Sequence, residues 1–429
     1  MAYLSVPVHE RPCGWNAQLA ERPVPPGERG SLTAELVIVG AGYTGLAAAS
    51  AWAEARPNDR VLVLDADRLG EGSPGRNSGF MLEVALANDA SPGELERMSR
   101  LNALSRKTMA QLRHKVEQHG IDCHLQHAGT YRAAATAQGM QSLKSYQAFL
   151  ESAGLSYERL SREALKERIG TSYYAQGLYS PDCYLVQPAA LIRGLADALP
   201  DSVSIYENSP AISVSKAESA WCVRTAEAEI QAQHVILANN AFSRALGADA
   251  SRLTAIYTYA AVTPVLPEST RARLIPQDWG LLPAHRLGCT LRTTHDGRLM
   301  IRSRYSYEQE DSNRRIAAGL ARSLARRYPE LAGTGFDYVW GGTTGLTHNG
   351  APLWGEIHPG LYVSAGCNGG GIVKGTFLGD ALARHALGQT VEPIHQLFGK
   401  ASWMPPEPVR HLGFQLISAL ERKRAERET

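Results

Sequence analysis

The sequence predicts an α/β protein, α+β in part, with one domain on a parallel sheet and a second, on an antiparallel sheet, inserted discontinuously into it. Three observations carry this. A β-branched run, Glu35–Val39, leads directly into Gly40-Ala-Gly42-Tyr-Thr-Gly45 and then a small-residue helical stretch. A second strand, Gly-rich turn and helix pattern occupies residues 361–385. Between them, residues 257–265 and 289–307 alternate with period two, as antiparallel strands do.

The 429 residues, 44% hydrophobic and 20% charged, suffice for two or three domains with a large core. A net charge of +2 provides no global field favouring nucleic acid or an anionic membrane. Six widely spaced Cys exclude a CxxC pair and zinc-knuckle spacing, and point to a reducing cytoplasm. Charges at Glu10, Arg11, Glu21, Arg22, Glu28 and Arg29 leave no room for a signal-peptide apolar core. Residues 36–53 are uncharged and long enough to span a bilayer, but their glycine pattern reads instead as strand, turn and helix.

That first turn has the form of a Rossmann-like dinucleotide site. Gly40 permits the turn, Gly42 leaves space for a pyrophosphate, and Gly45 lets helix and strand pack closely. Tyr43 and Thr44 begin the helix, whose N-terminal amides face the phosphates. A second strand, Arg60–Leu64, ends in Asp65, placed to accept hydrogen bonds from both ribose hydroxyls and to repel a 2′-phosphate. NADP is thereby disfavoured; the choice between NAD and FAD stays open at this point.

The next residues narrow it. From Ala66 and Arg68 through Gly70, Gly72, Ser73, Gly75, Arg76, Asn77, Ser78 and Gly79, the chain lacks helical apolar spacing. Such a segment is expected to run extended along a long ligand, or else to be a surface loop. Here the sequence resembles the D-amino-acid-oxidase-like (DAO) superfamily of FAD-dependent oxidoreductases, and most of all its γ-glutamylputrescine-oxidase-type branch. That branch opens with a GAGxTGL turn, an acidic residue and a G-x-G-x-S-G-R-N-G-G-like segment, which residues 70–79 match with Pro74 as a variant. The resemblance continues at residues 179–191 and at Gly366-Cys-Asn-Gly369-Gly370-Gly371-Ile372, covering about residues 30–395.

The resemblance implies FAD as cofactor and hydride loss from a carbon beside an amine or amino-acid nitrogen, giving an imine that water hydrolyses. It implies a small-molecule amine or amino-acid substrate and leaves oxidase and dehydrogenase, hence the use of O2, unseparated. Alternatives on the same fold are a non-enzymatic or RNA-modifying flavoprotein, or an NAD-linked dehydrogenase. None of the Cys falls in Trp340–Thr344, where some relatives attach the flavin, so non-covalent FAD is expected. No metal site and no nucleic-acid partner are expected.

The expected cofactor contacts are Gly40, Gly42, Tyr43, Thr44, Gly45, Asp65, Ala66, Arg68, Ser73, Arg76, Asn77, Ser78, Gly79, Ala211, Ala238 and the turn Gly369-Gly370-Gly371-Ile372. Lys374, one turn into the last helix, either adds positive charge at the flavin or is a helix-surface lysine. The substrate pocket is expected on the antiparallel strands, with Tyr257, Tyr259, Arg302, Arg304 and Tyr305 as candidates. Arg302 and Arg304, two apart, should share a face; toward the flavin they would bind a carboxylate, and outward they would be solvated. His348 stands in a loop that approaches the active site in relatives, or is a plain surface histidine.

The expected organisation is a Pro-rich arm (1–30), a discontinuous FAD-binding domain (31–84, 165–240, 335–400), a substrate domain (85–164, 241–334) and a helical tail (401–429). Residues 83–170 read as mainly helical, and strands are expected at 203–206, 211–214, 221–224 and 234–238. Residues 314–327 form a basic amphipathic helix, read as a solvated face. Residues 412–429 read as an amphipathic docking helix with no stable membrane insertion. The oligomeric state is not specified.

Overall fold

The structure is a computed structural model that describes residues 4, 6–24, 27, 29–82, 92–285 and 287–429. Strand β1 (Gly30–Val39), helix α1 (Tyr43–Ala55) and β2 (Val61–Leu64) make the first βαβ unit. One turn, α2 (Ser73–Arg76), and β3 (Phe80–Leu82) follow, then the long α3 (Pro92–Gln118). Next come β4 (Gln126–His127), β5 (Thr130–Ala134), α4 (Ala137–Ser152), β6 (Glu158–Ser161), α5 (Arg162–Ile169), β7 (Gln176–Ser180) and β8 (Cys183–Leu185). The chain returns through α6 (Pro188–Asp197), β9 (Val203–Tyr206), β10 (Ser213–Ala217), β11 (Ala220–Arg224) and β12 (Ala228–Leu237). A second excursion holds β13 (Thr254–Val262), α7 (Glu268–Leu274), β14 (Gly280–Pro283), β15 (Thr290–Thr293), β16 (Leu299–Tyr307) and α8 (Asn313–Arg327). The last elements are β17 (Tyr338–Leu346), β18 (Leu353–His358), β19 (Leu361–Ala365), α9 (Val373–Ala386), α10 (Ile394–Phe398) and α11 (Val409–Ala425).

Parallel pairing runs β9–β2–β1–β12–β19, with β18 antiparallel on β19 and the β10–β11 hairpin on the first half of β12. The continuous apolar run of β1 follows from cover on both sides. Leu36 and Ile38 pack under α1 and α9, while Val37 and Val39 pack with Trp221, Val223 and Leu253 on the other face. The second sheet is ordered β17–β13–β16–β15–β14–β5–β7–β6, and β3–β8–β4 form a small third sheet.

Several expectations shift. The 65–81 segment is not wholly extended, because Ser73–Arg76 makes a helical turn that Pro74 is pre-set to start. Within 83–170 the helices are interrupted by strands at 126–127, 130–134 and 158–161; residues 83–91 lie outside the described residues. Gln176–Ser180 and Tyr338–Leu346, expected with the nucleotide domain, pair in the antiparallel sheet, a partnership decided across the fold rather than by local pattern. The strand expected at 211–214 begins at Ser213. The arm crosses the molecule: Cys13 N–H donates to Glu71 (2.8 Å), and Trp15 Nε1 donates to the Asn77 carbonyl (2.9 Å).

Candidate cofactor and substrate site

Both glycine turns lie at the C-terminal ends of parallel strands, where open α/β sheets bind ligands. β1 and β19 flank β12, so the ends of the two strands stand about 10 Å apart, two strand spacings. The helices that follow touch where the first turn of α1 meets the first two turns of α9. A Cβ on Gly379 of α9 would fall 2.0 Å from the Thr44 carbonyl oxygen, and one on Gly375 would fall 3.0 Å from Thr44 Oγ1. Small residues on both helices thus bring two helix N-termini, with their unpaired amides, to one cleft.

Around the first turn, Gly40 has φ +106°, and a Cβ there would lie 3.0 Å from the Ala238 carbonyl. Ala238 is held in turn by its N–H to Val39 O (2.9 Å). Gly45 sits so close that a Cβ would fall 1.9 Å from Gly40 O. At Gly42 the nearest atom is Pro74 Cγ, 2.9 Å from a notional Cβ, so this glycine also seats the second segment on the first turn. Tyr43 is a core residue whose hydroxyl donates to Pro188 O (3.2 Å).

Asp65 caps β2 as expected. Its carboxylate accepts from Ala41 N (2.8 Å) and Asp67 N (3.1 Å), and burial pushes its pKa up to about 6. Ser209 N donates to Asp65 O (2.7 Å), which brings the 207–211 segment, with the buried Ala211, beside it. Ala66 follows directly. Arg68 turns away to donate to Arg22 O of the arm (2.8 Å).

The 70–79 segment is tied mainly to protein. Ser73 opens the one-turn helix capped at Gly72. Arg76, expected as a cofactor contact, is 4% exposed and spends its guanidinium on Glu71, Gly341 O (2.9 Å) and Arg11 O (2.8 Å). It fastens the arm and β17 to this segment. Asn77 donates to Pro74 O (2.5 Å) and accepts from Gly79 N (2.7 Å). The carbonyls of Ser78 and Gly79 accept from Arg292 Nη1 (3.1 and 3.3 Å), which also reaches Val186 O (2.7 Å). Sequence reasoning did not single out Arg292. Its signal was a lone cation in the alternating strand 290–293; burial lowers its pKa to about 10.

At the second turn, notional Cβ atoms on Gly369 and Gly371 meet nothing within 4 Å, so the turn borders open space; Gly370 and the buried Ile372 complete it. Lys374 Nζ lies 3.5 Å from Gly350 O and 5.1 Å from the Phe398 ring centroid, facing the neighbouring loop and α10. Thr347 N donates to Asn368 Oδ1 (3.0 Å), so the 344–352 loop does pack on this turn. His348 itself is exposed, its Nδ1 3.5 Å from Ser402 Oγ, which corrects its candidacy as a pocket residue.

The antiparallel sheet turns one face to the nucleotide-binding half. Trp340 Nε1 donates to Arg76 O (3.1 Å), and Trp340, Ala260, Met300 and Trp15 form one cluster on that face. Tyr257 and Tyr259 alternate to the other face, among Ile301, Leu320 and Leu324. Tyr259 OH donates to or accepts from Ser306 Oγ (2.5 Å), and the Tyr257 ring meets His9 edge-on. Both are core tyrosines, not pocket residues.

Arg302 and Arg304 do not share a face. β16 carries a bulge: Arg302 pairs with Ala260 and Ser303 with Tyr259, but Thr258 pairs with Tyr305. Arg304 is the extra residue, at φ +67°, and its guanidinium packs on Gly319 of α8 with Nη2 3.3 Å from Gly319 O. The bulge therefore sends Arg304 to the helix side and places Tyr305 beside Arg302 on the nucleotide side.

FAD fits these residues. The Asn239 amide, next to Gly40, is shielded and has neither Oδ1 nor Nδ2 bonded by protein, and Thr258 Oγ1 on the same face of the sheet as Arg302 is likewise orphaned. Buried polar atoms at such a junction call for ligand partners. Among the described residues no cluster could hold a metal ion, and no helix is long and apolar enough to cross a membrane.

Comparison with known proteins agrees. The chain is 28% identical over 386 residues to a probable oxidoreductase OrdL of Rhizobium meliloti (strain 1021), covering 88% of this chain and 89% of that one. It is 27% identical over 351 residues to the gamma-glutamylputrescine oxidoreductase of Escherichia coli (strain K12), covering 80% and 81%. The fold superposes on glycine oxidase from Geobacillus kaustophilus with a TM-score of 0.72 at 20% identity, over 87% of this chain and 100% of the other. A model of the FAD-dependent oxidoreductases, DAO, matches residues 35–385. With that match running from the first strand to the helix behind the second glycine turn, the chain belongs to the DAO family of FAD-dependent oxidoreductases.

Proposed function

We propose that this oxidoreductase oxidises the C–N bond of an amino acid or of an amine that carries a carboxylate. The observation that supports this is the bulge in β16, which leaves Arg302 on the sheet face toward the nucleotide half, with Tyr305 beside it. Arg302 binds the carboxylate through paired hydrogen bonds. The apolar neighbours Met300 and Ala260 penalise an ammonium and so favour the neutral amine that hydride loss requires. FAD held by the two glycine turns would supply the hydride acceptor. The parallel sheet with residues 40–79 and 366–374 holds the cofactor, non-covalently, and the antiparallel sheet covers the substrate.

The test is anaerobic mixing with a panel of amino acids, simple amines and γ-glutamylated polyamines. Carboxylated substrates are expected to bleach the oxidised flavin band, and simple amines to leave it. Bleaching by simple amines alone would contradict the proposal. Acid precipitation is expected to leave the yellow colour in the supernatant.

Asp65 makes cofactor binding pH-dependent. Ribose hydroxyls donate to the carboxylate and so favour its charged form, whereas burial in the free protein favours the neutral form, with a pKa of about 6. FAD affinity of the apoprotein is therefore expected to fall below pH 6, by up to about tenfold per pH unit. Asp65→Asn should weaken binding at pH 8 and flatten this dependence, as read by fluorescence titration of FAD.

A further inference from the structure

Helix α11 is apolar on two sides. Its inner side is anchored: Arg410 donates to Pro405 O (2.9 Å) and Ala250 O (3.1 Å), Phe414 packs on Tyr307, Glu421 lies 3.3 Å from His285, and Ala425 is buried. Its outer side carries Val409, Leu412, Leu416 and Leu420 at helical spacing with Ile417 alongside, each exposed by half or more, and Trp403 (59% exposed) precedes it. Among the described residues, six of the ten exposed large hydrophobics lie in this one stretch.

The charge beside the stripe is mainly basic: Glu421 is engaged by His285 and Arg424, and the exposed acids are Glu407, bonded by Tyr307, and Glu426. The helix ends in the exposed Arg422, Lys423 and Arg424. The residues after it bind α8: Arg327 Nη2 donates to Glu428 O (2.7 Å), and Ser323 Oγ donates to Thr429 O (3.2 Å). α8 contains no acidic residue and exposes Arg314, Arg315, Arg322 and Arg326. The bulged Arg304 adds a further cation, with its shielded Nε unbonded.

We propose that this face rests on an anionic lipid surface, with the α11 stripe at the headgroup–acyl boundary, Trp403 at the interface, and the arginines of α8 and α11 among the headgroups. An apolar stripe next to a basic end is the design of an interfacial helix, which lies on the bilayer without spanning it. A second copy fits less well: the six exposed side chains offer roughly 400–700 Å² per copy, against about 800 Å² per partner in a stable interface.

The experiment sediments the flavin-loaded protein with phosphatidylcholine vesicles, with and without roughly a third phosphatidylglycerol. Binding is expected only with the anionic lipid, weakening as salt rises. Leu412→Glu/Leu416→Glu and Lys423→Glu/Arg424→Glu are each expected to weaken it about tenfold or more. All four side chains are exposed, so unchanged flavin absorbance and melting temperature establish that the variants fold. Protein left in the supernatant with both vesicle types, or equal binding to both, overturns the proposal. So does a dimer in light scattering that Leu412→Glu/Leu416→Glu dissolves without any vesicle binding by the parent.

Discussion

Gly379→Ala is expected to cost the protein its flavin and about 1–3 kcal/mol of stability, although the residue lies inside a helix and not in either glycine turn. The added Cβ would stand 2.0 Å from the Thr44 carbonyl oxygen and 2.8 Å from its carbon. Both are backbone atoms, so no side chain can swing aside, and α9 must move away from α1. That motion separates the first turns of two helices that frame the same cleft. A thermal melt and the ratio of flavin to protein absorbance after gel filtration read the two effects. Gly413→Ala in α11 is the matching control, because a Cβ there meets nothing within 4 Å. It should keep the flavin and gain a few tenths to about 1 kcal/mol in helix propensity. Equal behaviour of the two variants would mean that the α1–α9 contact does not hold the cleft together.

Arg302→Ala and Arg304→Ala are expected to part company. Removal of a charge-assisted contact to a carboxylate costs about 1.5–3 kcal/mol, hence roughly 10- to 150-fold in kcat/KM, carried mainly by KM. Arg304→Ala should leave kcat and KM within about twofold, since its guanidinium faces Gly319 of α8. Steady-state kinetics on the best substrate of the panel decide it. Comparable losses in both variants would contradict the separation of faces by the bulge.

Much of the nucleotide half could be read from the chain. Glycines whose Cβ atoms would strike backbone announce themselves by spacing, and Gly40, Gly45 and the Asp65 strand end lie where that spacing puts them. The partners of Arg76 are not legible in the same way, because a guanidinium in a polar segment looks the same whether it meets a ligand or the carbonyls of Arg11 and Gly341. Those carbonyls come from positions far away in sequence. Arg292 was passed over for the converse reason: its importance lies in Ser78, Gly79 and Val186, none of which is near it in the chain.

The substrate side was legible only as a sheet. Period two over 257–265 and 289–307 marked the region of the strands at 254–262, 290–293 and 299–307, yet strict alternation put Arg302 and Arg304 together. One extra residue in β16 reverses every face beyond it, and a bulge is a property of the pairing between two strands, not of either alone. Likewise nothing local distinguishes the buried Tyr257 and Tyr259 from pocket residues. What the sequence by itself determined is the pair of glycine turns and the cofactor they imply, because backbone conformation and Cβ exclusion act within a few residues. What only the tertiary structure decided is which side chains of the antiparallel sheet turn toward the nucleotide half, because register, bulge and covering helices depend on partners brought together from across the chain.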